Sequence, residues 1–587
     1  MISRRNILRM GLIGTAGALS PGLARRAVAA GGNTTTNGVG VSAFRTQPFV
    51  DPVPIMPVKA STADGPGCEN LLPAGVQAGP FKQHVPFEGE MTAAGTCHQR
   101  YSQFAPQHAY ELHVKEAKQK FHPAIPPTTI WGFDGMFPGP TFKARYGQPN
   151  LVRFYNELPA NHVGFGIPSI TTHLHNAHTA PESDGNPSNF YGSGTCWDNH
   201  YPNVLAGFST PEFGPTGDPA ETLGTCWYHD HRQDFTAQNV YAGLEGFYLL
   251  FDDLDCDDET NPNGLRLPSG KYDVPLMFND KVFGPDGNLV YDFFSLDGLL
   301  GDKFSVNGKL QPYMNVERRK YRLRLLNGGP SRVYAFALSD GTPLIQISND
   351  GNLLPRPVPR GIPSVVPALT DYLVTGVAER HDVIIDFSKY GPNTRVYLVN
   401  MAEQLNGAGP TGRIAKVPDP LIQFRVGQLP LVPDQSVIPS MTSVTPSMRA
   451  LPQIDLTKVV QNRSWRFERV NGGWAINGLP FDSTRVSAAV QRDSREIWTL
   501  QGGSGWWHPV HIHFEEHQIL SRNGLPCPPY EGRKDVALLH GGETVVCYFH
   551  FRDWLGKYPM HCHNVVHEDH AMMVRWDMVD PNAVPTP

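Results

Sequence analysis

The stretch His561-Cys562-His563-Asn564-Val565-Val566-His567-Glu568-Asp569-His570-Ala571-Met572 constrains this chain more than any other. In an extended segment successive side chains alternate faces, so His561 and His563 point one way and Cys562 the other. One short strand can then serve two metal sites on its opposite sides. The loop that follows can return His567 and Met572 to the side of Cys562. A thiolate, imidazoles and a weak axial thioether form a blue-copper ligand set.

Four His-x-His pairs are present: His173/His175, His229/His231, His511/His513 and His561/His563. With 23 His in 587 residues, chance gives roughly one such pair. Each pair lies in strand-like sequence, where a spacing of two aims both rings at one face. Eight imidazoles are too many for one four-coordinate ion and suit a cluster of two or three. His508 precedes His511 by three residues, with Pro509 between them to break the strand, so it can turn toward Cys562, His567 and Met572. Any one His is more simply a hydrogen-bonded core residue, but four pairs beside a Cys flanked by two His are far more specific. Zinc is the rival metal; the Cys/His/His/Met set favours copper.

The length implies two to four domains. Abundant Gly (58) and Pro (54), with no long charged helical heptads, point to short strands and turns, hence β-sandwiches or barrels. A net charge of −6 leaves no basic footprint for nucleic acid. The expected division is a signal segment at 1–30, a flexible leader and extension at 31–105, and a first domain at 106–258. A second, structural domain follows at 270–428, then an exposed connector at 429–460 and a third domain at 461–587. Asn186 to Glu221 is rich in Gly, Pro, Ser and Asn and reads as a long surface loop. The signal rests on Ser3-Arg4-Arg5, the short apolar run Met10 to Leu19, and the small residues Ala27-Val28-Ala29. It resembles a twin-arginine signal, which implies a prokaryotic source, the partner export machinery, and a periplasmic or extracellular address. No later segment is long and apolar enough to span a membrane. Of the eight Cys, Cys196 and Cys226 flank one loop and are the favoured disulfide.

At the copper motifs, at Trp131 to Thr141, at Phe304 to Lys309 and at Ala378 to Asp382, the chain resembles the multicopper oxidases. It is most similar to three-domain bacterial laccases of the spore-coat and bilirubin oxidase kind. The resemblance spans roughly Phe49 to Met578. It implies an all-β fold of three cupredoxin-like Greek-key domains and four copper ions. His508, Cys562 and His567 would bind a type 1 copper, with Met572 axial. His173 and His511 would hold a type 2 copper. His175, His229 and His563 would bind one type 3 copper, and His231, His513 and His561 the other. The cluster would lie between the first and third domains. The implied activity is one-electron oxidation of phenols, aryl amines or tetrapyrroles coupled to four-electron reduction of dioxygen to water, with donor electrons entering at His508. Asp184 and Glu568 match carboxylates implicated in proton delivery; a turn cap and a hydrogen-bond acceptor are their plainer roles.

Some nearby residues have less specific readings. His178, His517 and His570 are assigned no copper, and Met560 and Met573 read as packing. Trp506 and Trp507 could floor an aromatic site or pack in the core. Phe514-Glu515-Glu516-His517-Gln518 departs from the apolar sequence expected there. Its carboxylates read as solvated loop charges; alternatively they bind a hard cation such as manganese(II). The alternative function is a metal-ion oxidase acting on manganese(II) or copper(I).

Overall fold

The computed structural model describes residues 35–36, 39–78, 89–91, 97–503, 505–528 and 530–582. The signal segment lies outside them. The described chain is dominated by strands gathered into three pairs of sheets. In the first pair, a four-stranded sheet runs Thr172–His175, Thr225–Asp230, Glu245–Phe251, Phe142–Arg145. It faces a five-stranded sheet built around His108–Gln119 and Asn150–Asn156. The second pair has seven and five strands, centred on Lys320–Asn327 and Arg395–Ala402. The third pair has a seven-stranded sheet around Arg495–Gly502 and Thr544–His550. Its five-stranded partner runs Val486–Gln491, Met573–Val579, Gly556–Cys562, His508–Ile512, Val536–Leu539.

Burial follows position in the sheets. Arg495–Gly502 alternates half-buried and buried residues, as a strand with one wet face does. Gly556–Cys562 is buried at every position, because its sheet is covered on both faces. Trp465, Trp474, Trp498, Trp554 and Trp576 fill the core of the third pair. Two short helices, Thr236–Ala242 and Val565–Asp569, meet at the junction of the first and third pairs. There the Ala237 N–H donates to Asp569 Oδ2 at 3.1 Å.

Several expectations are corrected. Residues 39–78 are not a flexible leader. The Val53 N–H donates to the Tyr313 carbonyl (2.7 Å) and the Lys59 N–H to the Thr141 carbonyl (2.8 Å). Ala63–Asp64 then joins a sheet of the first pair. The segment 186–221 is not a plain surface loop. It contains the fully buried strand Cys196–Tyr201, and the N–H groups of Gly207 and Ser209 donate to Asp553 at 2.6 and 2.8 Å. The connector 429–460 is tied down by Asp434, which accepts from Arg319 and Lys320. Its last two residues already belong to the strand Val459–Val470. Cys196 and Cys226 are not bonded to each other: they lie in different sheets, and Cys226 Sγ donates to the Asn176 carbonyl at 3.0 Å.

Buried ion pairs fasten the first and third sheet pairs. Glu221 is held between Arg533 and Arg552, the latter at 2.9 Å, and Arg552 also pairs with Glu515 at 3.0 Å. Burial and the adjacent Arg552 pull the Arg533 guanidinium down to about 9. Removing the carboxylate would leave two buried guanidiniums without their shared counter-charge. We expect Glu221→Ala to cost about 3–5 kcal/mol, read as a lower unfolding temperature by circular dichroism. An unchanged unfolding temperature would show that this clamp contributes little.

Candidate metal centre

The strand His508–Ile512 lies antiparallel to Gly556–Cys562, with Val510 opposite Cys562 and His511 opposite His561. Strand alternation therefore sends Cys562 to one side and His561 and His511 to the other. The chain turns after Cys562, and the helix Val565–Asp569 brings His567 back to the sulfur side. Cys562 Sγ lies 3.4 Å from His508 Nδ1 and 3.5 Å from His567 Nδ1, and the two nitrogens are 3.3 Å apart. Met572 is fixed beside them. Its N–H donates to the His567 carbonyl and its carbonyl accepts from the Cys562 N–H, both at 3.1 Å. All four residues are buried.

On the other side the four His pairs converge. In the first pair of sheets His173 lies opposite His229 in register. Facing nitrogens are close: His173 Nε2 to His511 Nε2 is 3.3 Å, and His513 Nε2 is 3.1 Å from His231 Nε2 and 3.2 Å from His561 Nε2. His175 Nδ1 faces His229 Nε2 at 3.4 Å. The His563 ring sits 5.2 and 5.1 Å from the rings of His175 and His229, and neither of its nitrogens has a hydrogen-bond partner. Four His trios or His/Cys trios have donor atoms within 4.8 Å of one another: His173/His511/His513, His173/His175/His229, His231/His513/His561 and His508/Cys562/His567.

The opposite ring nitrogens are tied outward. His229 Nδ1 donates to the Asp230 carbonyl (2.9 Å), His511 Nδ1 to the Asp535 carbonyl (3.0 Å) and His173 Nδ1 to the Asp184 carbonyl. His513 Nδ1 donates to Asp184 Oδ2 at 2.7 Å. Glu568 forms ion-pair contacts with two more rings, one oxygen 3.0 Å from His231 Nδ1 and the other 2.9 Å from His561 Nδ1. Fixing the proton on the outer nitrogen leaves a lone pair turned inward. His175 is reversed, with Nε2 toward Asp535 Oδ2 at 3.3 Å.

The electrostatics fit a cation at both places. Burial pushes His229, His511, His513 and His563 well below the ordinary imidazole range, so they are neutral imidazoles able to ligate a cation rather than imidazolium. Burial likewise pushes the Cys562 thiol well up, so a thiolate there requires a positive partner. Burial raises the Asp184 carboxyl, with His173 opposing. Burial also opposes ionisation of Glu568, but His561 and His231 outweigh it and hold its carboxyl well below the usual range.

Three contributors have no signature in the sequence. Asp535 orients His175 and His511 and is itself gripped by Arg380 through two 2.9 Å bonds. The Asp297 carbonyl, from the second pair of sheets, accepts from His567 Nε2 at 2.9 Å. The Trp474 ring lies 3.9 Å from the His567 ring. Glu515, Glu516 and His517 are corrected: they are buried, not solvated. Glu515 pairs with Arg552, and Glu516 accepts from Asn352 and faces Arg533 at 3.6 Å. His178 pairs with Asp553 at 2.7 Å and His570 donates to the Val566 carbonyl. Met560 and Met573 are core residues. Trp507 stacks on His540, and Trp506 meets Trp474 edge-on at 5.3 Å.

The multicopper oxidase profile matches residues 447–582, the region that carries the sulfur site and two His pairs. The bilirubin oxidase of Albifimbria verrucaria is 33% identical over 484 residues, covering 80% of this chain and 76% of that protein. The laccase of Bacillus subtilis is 30% identical over 531 residues, covering 81% of this chain and 94% of that protein. The chain belongs to the multicopper oxidases. Among solved structures, a laccase from Pediococcus acidilactici shares the fold with a TM-score of 0.68 at 23% identity, covering 92% of this chain and 96% of that one. The three sheet pairs are thus the cupredoxin-like units of a copper-dependent oxidoreductase. Facing lone pairs repel when no cation lies between them. Stripping copper should therefore lower the unfolding temperature, and reloading should restore it; metal bound at 1,000-fold excess over Kd is worth about 4 kcal/mol. Equal melting of stripped and loaded protein would contradict this.

Proposed function

We propose that this multicopper oxidase holds four copper ions and acts as a laccase. It couples one-electron oxidation of phenols, aryl amines or tetrapyrroles to reduction of dioxygen to two waters, consuming four electrons and four protons. The observation that carries this reading is the pairing of a Cys/His/His/Met site with eight converging imidazoles on opposite sides of one strand. In this reading His508, Cys562, His567 and Met572 hold the type 1 ion, and His173 and His511 the type 2 ion. His175, His229 and His563 hold one type 3 ion, and His231, His513 and His561 the other. The bound ions supply single-electron acceptance at the sulfur and dioxygen reduction among the imidazoles.

The chain's own residues do the rest. Cys562 is the covalent neighbour of both His561 and His563, so the backbone links the two sites by the shortest path available. His508 is only 1% exposed, so an organic donor meets the residues around it rather than a bare ring edge. Half-buried Trp506, in contact with Trp474, supplies an aromatic surface at that end. Asp184 and Glu568 reach the cluster from two sides: burial favours a proton on Asp184, whereas His561 and His231 keep Glu568 a carboxylate beside their rings. Oxidation of manganese(II) or copper(I) is the weaker reading, since Glu515 and Glu516 are committed to buried partners. The twin-arginine sequence near Arg4-Arg5 supports export to the periplasm or beyond. Among the described residues no helix is long and apolar enough to cross a membrane.

A donor panel with oxygen uptake and copper content measured on one sample tests the reading. The expected result is four coppers per chain and four donor electrons per dioxygen with phenols or aryl amines. Turnover restricted to manganese(II) would overturn the substrate class. Asp184→Asn keeps an amide oxygen to accept from His513 but cannot carry the proton. We expect copper content to be retained and turnover to fall by roughly 10²-fold or more; wild-type oxygen reduction would remove Asp184 from proton delivery.

A further inference from the structure

A cleft lies away from the metal centre, between the first and second sheet pairs, with a volume near 670 Å³. That is within the range of cavities that enclose small organic ligands. The first pair contributes the strand Thr128–Phe133 and the loop 159–165; the second contributes the loop 284–293. Its lining is aromatic: half-buried Phe165 and Phe293 offer ring surface, and Trp131 and Tyr291, each 2% exposed, back them from the core. The aromatic groups brace one another. Phe165 stacks on Tyr291 at 5.5 Å, and Tyr291 meets Phe293 edge-on at 5.5 Å.

The charge is one-sided. Glu116 and Asp286 line the cleft, none of the lining residues is Lys or Arg, and Lys118, outside the lining, is the cation that acts on Asp286. Glu116 is 3.7 Å from His162, whose Nε2 donates to the Phe165 carbonyl at 2.9 Å. Asp286 is held by its own turn, accepting from Asn288 Nδ2 at 2.8 Å. Both carboxylates are exposed and therefore available to a ligand. Aromatic rings combined with carboxylates are the chemistry that recognises organic ammonium ions. The ring faces attract the cation, and the site excludes anions.

We propose that this interdomain cleft binds an organic ammonium cation on an aromatic or alkyl body. The site is separate from the copper ligands and stands whether or not the laccase reading holds. Its wall continues toward them, however. The loop 284–293 runs on to Leu296, whose carbonyl accepts from Trp474 Nε1 at 2.7 Å, and to Asp297, whose carbonyl accepts from His567. A ligand that braces this loop therefore reaches the partners of the sulfur site through a few residues of backbone.

The test uses copper-loaded enzyme and benzyltrimethylammonium, a cation with no readily oxidised group, in calorimetric titration. We expect saturable binding, weakened at least tenfold in the double variant Glu116→Gln/Asp286→Asn. Neutral neopentylbenzene, of the same shape, should bind at least tenfold more weakly. Both substituted residues are exposed, so folding and the copper spectrum should be unchanged. Hydrogen exchange should show cation-dependent protection in 159–165 and 284–293. Absence of saturable binding, equal binding by the double variant or by the neutral isostere, or protection confined to other segments would each overturn the proposal.

Discussion

Imidazole lone pairs turned toward each other at little more than 3 Å repel, and burial strengthens that repulsion. The arrangement is supported by the fastening of the outer nitrogen on six of the eight rings. Backbone carbonyls of Asp184, Asp230 and Asp535 and the Asp184 carboxylate accept from the outer nitrogens, and Glu568 makes ion-pair contacts with His231 and His561. The inner nitrogens then have no choice of tautomer. The site is a cavity of fixed donors whose repulsion is relieved by cations, and much of the surrounding fold serves to hold it.

The fastening explains why three sheet pairs are needed where two carry the ligands. The first and third units supply the eight imidazoles and press together through the Glu221, Arg533 and Arg552 contacts. The second unit carries no His pair, yet it enters twice. Arg380 grips Asp535, which orients His175 and His511, and the Asp297 carbonyl fixes the tautomer of His567. Describing that unit as structural is accurate only if orientation of ligands counts as structure.

The sequence made some of this legible. Spacing of two on a strand is a local geometric fact, so the convergence of the His pairs and the opposed direction of Cys562 could be read directly. The orienting partners could not. A backbone carbonyl has no residue identity; Asp535, next to the neighbouring strand, meets His511 within one domain and His175 across domains, and Asp297 meets His567 across domains. Glu515 and Glu516 illustrate the same limit in reverse. Adjacent charges look solvated from local composition, but Arg552, Asn352 and Arg533 are brought over them by other elements. The Pro- and Gly-rich stretches at 39–78 and 186–221 lack periodicity, yet backbone hydrogen bonds to neighbouring strands order them. Cys196 and Cys226 are near in sequence and lie on different sheets, which proximity along the chain does not reveal.

The account stands on the convergence of donors about two distinct centres. Anomalous diffraction at the copper edge from loaded crystals tests this most directly. It should show one peak among Cys562, His508 and His567 and the remaining peaks enclosed by the eight paired imidazoles. A loaded, active enzyme with copper away from those rings, or with no peak beside Cys562, would contradict it.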